Sequence, residues 1–271
     1  MSERDLTDIP PVPPHLFSIL ESTRAAFLFI AEEWRYLMRL AIPVLIVQLG
    51  TALIYHLFKT WRETERSGFE AFLWELPGNV LLGWFICCLA RLIIFGERLG
   101  NLPVRDLRFM QYRADLIRAS IFLTLLLQAA VVLLAEISAA FTPSGPEQED
   151  VSGIMLILGL AITVFIFWSI RLLVTPLLAA VDYPISLFLK QARGFMFSLR
   201  LLGVIALCTI PVFFVFQLFA ALTMSPVETM SKTQMLVLVL LTKPVGIIIS
   251  ALMNAGFIFA LKEMLGQSKK I

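Results

Sequence analysis

Six apolar runs of about twenty residues or more make up most of the chain, and they restrict it to folds that place those runs in lipid. At a rise of about 1.5 Å per residue, a helix of this length crosses a hydrocarbon core about 30 Å thick. Helices are expected because a spanning segment has to satisfy its own backbone hydrogen bonds, and the sequence lacks the alternating strands of a barrel. The predicted spans are residues 37–58, 73–94, 117–141, 154–173, 199–222 and 235–261.

The composition agrees with a membrane protein. Hydrophobic residues make up 59% of the 271 residues and charged residues only 15%, whereas about a quarter of the residues in a soluble domain are charged. The three cysteines, Cys87, Cys88 and Cys208, all lie inside apolar runs and lack the spacing of a zinc or redox motif. We therefore expect them to pack as small hydrophobic side chains.

Lysine and arginine are distributed unevenly over the connections between the predicted spans. Fifteen of the 22 basic residues fall on one side, and four fall on the other. The third connection, residues 142–152, has none. By the positive-inside rule, the side with fifteen basic residues faces the cytoplasm, and both termini lie on that side.

The spacing of arginine and proline predicts an internal repeat. Arg91 near the end of the second span precedes Pro103 by twelve residues, and Arg171 near the end of the fourth precedes Pro184 by thirteen. An amphipathic stretch follows each proline, and a similar stretch precedes the first span. The predicted fold is all-α: a polytopic membrane protein with six transmembrane helices and three amphipathic cytoplasmic elbow helices, in a three-fold hairpin repeat. The alternative is that the elbows are ordinary loops with helical ends.

Composition divides the chain into three parts. A proline in the last predicted span also affects where the last helix is expected to begin. Residues 1–14 are a predicted disordered, Pro-rich tail, residues 15–265 the six-helix integral membrane domain, and residues 266–271 a short basic tail. Lys243 and Pro244 lie inside the sixth predicted span. We expect the helix to begin near Lys243, with a kink at Pro244 as the alternative.

The residues of the third elbow resemble those of a known bacterial group. The run Asp182-Tyr183-Pro184-Ile185-Ser186-Leu187, followed by Lys190-Gln191-Ala192-Arg193-Gly194, is similar to the cytoplasmic elbow of YciC-like inner-membrane proteins and of the six-helix membrane domain fused to some glycerophosphodiester phosphodiesterases. Gly96-Glu97-Arg98 through Leu107 resembles the same elbow in the preceding repeat. The resemblance implies a six-helix bundle in the bacterial cytoplasmic (inner) membrane, with a role connected to lipids or the envelope. It brings no catalytic residues, because the phosphodiesterase domain has no counterpart here.

Signatures of enzymes are missing from the sequence. His15 and His56 are predicted on opposite sides of the bilayer and cannot form one metal site. Glu32-Glu33 resembles the start of a paired-glutamate protease motif, but Leu37 stands where that motif needs arginine. No nucleophile elbow, phosphate-binding loop or dinucleotide motif occurs. We expect no enzyme, metal or cofactor, and no nucleic-acid partner, because the basic residues abut the membrane.

Five polar side chains are predicted inside the spans as candidates for intramembrane contacts. Buried amides commonly form hydrogen bonds between helices, so structural cross-linking is the first interpretation and a substrate path the second. Glu136 either reaches the outer interface or faces the interior as a functional carboxylate. The five residues are Gln48, Gln128, Glu136, Gln217 and Asn254.

Basic side chains near the cytoplasmic ends of the spans form a second candidate set. Arg91 and Arg171 occupy equivalent positions, and the simpler interpretation is that their long side chains extend to the headgroups. The sharper hypothesis is a cytoplasmic basic rim that binds the phosphates of anionic lipids. The proposed members of the rim are Arg91, Arg105, Arg108, Arg171, Lys190 and Arg193.

Two functions from different classes are compatible with these features. The first is a non-enzymatic integral inner-membrane protein that organises anionic lipids or docks a membrane or envelope partner complex; its partners would be lipids, another membrane protein or a second copy of the chain. The alternative is a small-molecule or ion transporter or channel with a path between the repeats. Transport needs ionisable residues facing a central cavity, and the sequence offers only Glu136, with Arg91 and Arg171 marginal, so transport ranks second.

Overall fold

The computed structural model describes residues 17–62, 68–101, 106–140, 164, 167–192, 194–223 and 232–264. Within these ranges there are seven α-helices and two short 3-10 helices, Leu99–Asn101 and Ile170–Val174, and no strand. The α-helices are α1 Ile19–Arg62, α2 Gly68–Phe95, α3 Leu107–Ala140, α4 Thr175–Ala180, α5 Ile185–Gln191, α6 Phe195–Thr223 and α7 Lys232–Met264.

Five of these helices contain a stretch that is long and apolar enough to cross a membrane. This confirms the all-helical prediction and agrees with a multi-pass membrane protein. The fourth predicted span, residues 154–173, lies mostly outside the described residues, as do both predicted tails; the described part of that region contains the shorter apolar helix Phe167–Ala180. The five stretches are Ile19–Phe58, Gly68–Phe95, Leu107–Ile137, Phe195–Ala221 and Leu240–Met264.

The prediction of three separate elbow helices is wrong for the first two elbows. α1 runs without interruption over 44 residues, and α3 begins at Leu107 and continues directly into the third predicted span. Neither the start of α1 nor any part of α3 contains glycine or proline, so nothing in the local sequence interrupts the helix. The third elbow is a separate helix, α5, and Gly194 follows it with a φ of 121°, a conformation that favours glycine and separates α5 from α6.

The last helix begins earlier than the sequence predicts. α7 begins at Lys232 and contains Pro244, so the helix does not begin near Lys243. Proline lacks a backbone N–H, and the carbonyl of Leu240 therefore loses its usual helical donor at this point.

The helices α2 and α7 form the centre of the bundle. α1 packs along both of them, α3 packs on α2, and α6 packs on α7. More than half of the apolar stretch is buried in α2 and α7, whereas less than a fifth of it is buried in α3 and α6. Exposed apolar side chains such as Phe213, Phe214 and Val215 on α6 suit a lipid environment and would be unfavourable in water.

Candidate functional sites between the helices

A buried cluster of two arginines and one glutamate joins α2 to α3. Gly96 ends α2 with a φ of 65°, and the chain then turns so that Glu97 folds back on the helix. Arg91 donates through Nε to Glu97 Oε2 at 2.7 Å and lies 2.7 Å from the same oxygen through Nη2. Arg113 of α3 donates to Glu97 Oε1. The two arginines are only 5% and 7% exposed, so both guanidinium groups are held inside the protein.

The charge and the hydrogen-bond donors of Arg91 find their partners inside the protein. Its Nη1 donates to the carbonyl of Ala180 at the end of α4 at 2.9 Å, and its guanidinium carbon lies 5.3 Å from the ring centre of Phe95. Burial alone would raise the pKa of Glu97, but the hydrogen bonds from Arg91 and Arg113 outweigh burial and hold that pKa below its usual range. Arg91 therefore connects helices instead of extending to lipid headgroups.

Further polar contacts fasten the same end of the bundle. Tyr112 of α3 donates to Asp182, a residue of the elbow motif that adopts a φ of 57°, which aspartate tolerates better than most residues. Arg98 pairs with Glu33 of α1 at 2.5 Å. The backbone N–H of Leu99 donates to the hydroxyl of Tyr36 at 2.9 Å. The predicted cytoplasmic face is thus tied together by specific side chains.

Arg171 is also buried, but its environment differs from that of Arg91. It lies in the 3-10 helix before α4, where Pro176 near the first turn of α4 disfavours a continuous α-helix. Nε donates to the carbonyl of Trp168 at 3.0 Å, and Nη1 donates to the carbonyl of Ala192 at 3.2 Å. The side chain is 9% exposed, and its guanidinium carbon lies 4.8 Å from the Trp168 ring centre. Among the described residues, no carboxylate pairs with Arg171.

A cleft of about 630 Å³ opens beside this arginine. We call it the Arg171 cleft. Its polar side chains, within the part of the chain that the structure describes, are Arg171 and the buried Ser198 of α6. The rest of the wall is apolar, with Phe167, Trp168 and Phe195 supplying aromatic rings. An acidic group on an apolar molecule would find a cation and an apolar surface here.

Of the other predicted members of the basic rim, the three that the structure describes, Arg91, Arg108 and Lys190, do not line this cleft. Arg108 and Lys190 are exposed, and Leu189, the neighbour of Lys190, lines the cleft. Arg105 and Arg193 lie outside the described residues. Among the four members that the structure describes, Arg91 and Arg171 have different partners, and Arg171 is the one that lines this cleft.

A second cavity, of about 440 Å³, lies between α2, α3 and α7 and reaches the start of α4. We call it the inner cavity. Two of the predicted intramembrane residues, Gln128 and Asn254, line it, and Asn254 Nδ2 donates to the carbonyl of Ser250 at 2.7 Å. Gln128 Oε1 is buried and has no hydrogen-bond partner among the described residues. The other polar residues of the wall are Glu75, Asn79, Thr124 and Ser250.

The three remaining predicted residues lie elsewhere. Gln48 of α1 packs on Gly78 of α2, where a Cβ would lie 2.7 Å from Gln48 Cγ. Gln217 is exposed on α6. Glu136 is half-buried and accepts a hydrogen bond from the backbone N–H of Gly68, the first residue of α2. A carboxylate at a helix N-terminus is stabilised by the free N–H groups there, so this contact gives Glu136 a structural role.

Sequence reasoning predicted none of the ion pairs among the described residues, and two sets of them bear on the sites above. Lys243 of α7 donates to Glu75 of α2, and Glu97 pairs with Arg113 as well as Arg91. The pair of Glu75 and Lys243 could have been predicted from the sequence, because the two residues have opposite charges and both fall near the predicted outer ends of their spans. The second pair depends on how the chain turns at Gly96, which local sequence does not determine.

The described residues contain no group of three or more histidine, cysteine, aspartate or glutamate side chains that could hold a metal ion. No protein-family model, no curated protein and no solved structure matches the chain. The resemblance of the elbow motif to YciC-like proteins therefore remains a prediction.

Proposed function

We propose that this chain is a non-enzymatic multi-pass membrane protein that binds the anionic headgroup of a membrane lipid in the Arg171 cleft. The observation that carries the proposal is a guanidinium that is buried, faces a cavity and lacks a carboxylate partner among the described residues. Arg91 provides the contrast within the same protein, because its positive charge is met by Glu97.

The physical argument rests on the cost of a buried charge. A desolvated guanidinium without a counter-charge is unfavourable, and a phosphate oxygen would supply both the charge and a strong acceptor. The backbone carbonyls of Trp168 and Ala192 orient the guanidinium but bring no full negative charge. The aromatic rings of Phe167 and Phe195, whose centres lie 4.7 Å apart, provide apolar surface for the glycerol and acyl part of a lipid.

The membrane topology of this proposal follows the charge distribution. Six spans in a three-fold hairpin repeat, with both termini in the cytoplasm of a bacterium, place Arg171 near the inner leaflet of the cytoplasmic membrane. Anionic lipids give that leaflet a negative surface potential. In this arrangement the protein organises anionic lipids around its cytoplasmic end, with another membrane protein or a second copy of the chain as a further partner.

Native mass spectrometry from a mild detergent tests the proposal. The purified protein is titrated with phosphatidylglycerol or with zwitterionic phosphatidylcholine, and the bound lipid is counted for the wild type, Arg171→Gln and Arg171→Lys. A hydrogen bond to a charged group contributes about 1.5–3 kcal/mol, so Arg171→Gln should weaken phosphatidylglycerol binding by roughly tenfold to a hundredfold. Arg171→Lys should retain part of the binding, because it keeps the charge but not the planar fork.

Arg108→Gln is the matched control, since it removes one exposed arginine that has no partner among the described residues. It should leave phosphatidylglycerol binding within about twofold of the wild type. Equal loss in Arg108→Gln and Arg171→Gln would indicate nonspecific attraction, and unchanged binding in Arg171→Gln would refute the proposal.

Transport remains the second candidate because of one observation: the inner cavity carries Glu75, Asn79, Gln128 and Asn254 at membrane depth. A transport path has to open to both sides of the membrane. We expect a cysteine at Asn79, in an otherwise cysteine-free chain, to react with a membrane-impermeant thiol reagent from only one side if the protein does not transport. Reaction from both sides would favour the transporter.

A further inference from the structure

We infer that the inner cavity is a binding site for a small uncharged amphiphile: a molecule with an apolar body and a hydrogen-bond donor such as a hydroxyl. This site is distinct from the Arg171 cleft in its location and in the ligand chemistry it favours. Its volume of about 440 Å³ falls in the range of small-molecule sites. Side chains of α2, α3 and α7 line it together.

The donor requirement comes from Gln128. Gln128 lines the cavity, but its side-chain oxygen is enclosed by protein atoms and has no hydrogen-bond partner among the described residues, so a ligand meets this oxygen after rotation of the terminal amide. A buried carbonyl oxygen without a partner is unfavourable, so a ligand that brings a hydroxyl or N–H group restores a missing hydrogen bond. Asn254 is oriented by its own bond to the Ser250 carbonyl and contributes a second amide to the wall.

The preference for an uncharged ligand comes from Glu75 and Lys243. Glu75 is the charged residue among those known to line the cavity, and Lys243 neutralises it through a direct ion pair. A cation would have to compete with Lys243 for the carboxylate, and an anion would face that carboxylate in a medium of low dielectric constant. A ligand without net charge avoids both costs.

The apolar body is indicated by the remainder of the wall. Phe72 of α2, Leu127 of α3 and Met253 of α7 face the cavity from three sides. Methionine adapts to ligands of different shape, and the phenyl ring supplies a large apolar surface. The site is therefore suited to a molecule that partitions into the membrane and still carries one polar group.

Photolabelling with an octanol that carries a diazirine group tests the inference. The wild-type protein in lipid nanodiscs is irradiated with one of three probes: this alcohol, the corresponding diazirine hydrocarbon without the hydroxyl, or the corresponding amine. The labelled residues are then mapped by mass spectrometry. We expect the alcohol to label peptides that contain Phe72, Leu127 or Met253 about threefold to tenfold more than the hydrocarbon does, the ratio expected for one hydrogen bond. The amine should label these peptides less than the alcohol.

The variant Gln128→Leu removes the acceptor and keeps the approximate shape of the side chain. It should abolish the preference for the alcohol while the hydrocarbon probe still labels the same peptides, which shows that the cavity persists. Gln217→Leu is the matched control, because Gln217 is exposed on α6 and does not line the cavity. It should behave like the wild type.

Three results would overturn the inference. They are equal labelling of the cavity peptides by alcohol and hydrocarbon in the wild type, an undiminished alcohol preference in Gln128→Leu, and labelling spread evenly over the exposed faces of α3 and α6. The comparison of the three probes on the wild type decides the matter even if Gln128→Leu fails to fold.

Discussion

Single residues with similar sequence surroundings have different roles in this protein. Arg91 and Arg171 both lie near the end of an apolar run, both donate to a backbone carbonyl of a later segment, and both contact an aromatic ring. Only Arg91 has a carboxylate partner among the described residues. One buried arginine is therefore paired within the protein, while the other is the residue that we propose binds a lipid headgroup.

Removing the shared carboxylate should be more damaging than removing an exposed one. Glu97→Gln leaves the buried guanidinium groups of Arg91 and Arg113 without a counter-charge, and we expect the free energy of unfolding to fall by about 3–5 kcal/mol. Glu33→Gln breaks a half-exposed pair with Arg98 and should cost at most about 1 kcal/mol. Unfolding in detergent, followed by tryptophan fluorescence, checks the difference. Similar losses in both variants would contradict the assigned role of the cluster.

The same carboxylate predicts a pH dependence. Because the pKa of Glu97 is lower in the folded protein than its ordinary value of about 4.5, its stabilising contribution is complete above that value. The contribution is lost as the pH falls from there through the lower folded pKa. The melting temperature of the wild type should therefore decline on acidification below pH about 4.5 more steeply than that of Glu97→Gln. Parallel curves for the two proteins would show that Glu97 does not carry this dependence.

At the scale of the helices, close contact depends on where glycine faces a neighbour. Gly256 of α7 lies against α6, and a Cβ there would lie 2.7 Å from Val204 Cγ1 and 3.3 Å from Cys208 Sγ. Gly246 lies in the same helix, but a Cβ at that position would meet nothing within 4 Å. The two glycines thus provide a matched pair of positions within α7.

Gly256→Ala and Gly246→Ala should change stability in opposite directions. Overpacking at Gly256 should lower the free energy of unfolding by about 1–3 kcal/mol. At Gly246 the added methyl group raises helix propensity without a clash, and stability should rise by about 0.5–1 kcal/mol. Thermal unfolding of the two variants under identical detergent conditions measures both effects. A stabilising effect at Gly256 would mean that α6 and α7 do not approach as closely as the structure shows.

At the scale of the whole molecule, the beginning of α1 and the end of α7 meet. The backbone N–H of Ser18, just before α1, donates to both carboxylate oxygens of Glu263 at 3.0 Å. Arg200 of α6 donates to the carbonyl of Phe17. These contacts join the first, sixth and seventh helices, so the bundle is closed by side chains from distant parts of the sequence.

Removal of this contact should loosen the first turn of α1. Glu263→Ala deletes a carboxylate at a helix N-terminus and should cost about 0.5–2 kcal/mol. Hydrogen–deuterium exchange of the peptide that contains Ser18 and Ser22 should become faster. Glu32→Ala, which removes an exposed carboxylate of α1 without a partner among the described residues, should leave that exchange unchanged. Equal protection in Glu263→Ala and the wild type would rule out the closure.

The helical class and the positions of five membrane-length helices could be predicted from hydropathy alone, because a run of about twenty apolar residues has few alternatives to a spanning helix. Helix continuity is harder to predict, because an amphipathic stretch before a span predicts a separate elbow helix, whereas among the described elbows only the third, followed by Gly194, is separate. The absence of glycine and proline from α3 was already visible in the sequence.

The candidate sites could not be predicted without the tertiary structure. Hydropathy and spacing place Arg91, Arg171, Gln128 and Gln217 in apolar runs but do not determine which neighbour each one faces. The turn at Gly96 brings Glu97 to Arg91, whereas packing leaves Arg171 and Gln128 beside cavities. The reason is physical: burial in lipid depends on local composition, but the partner of a buried polar group depends on residues far away in the chain.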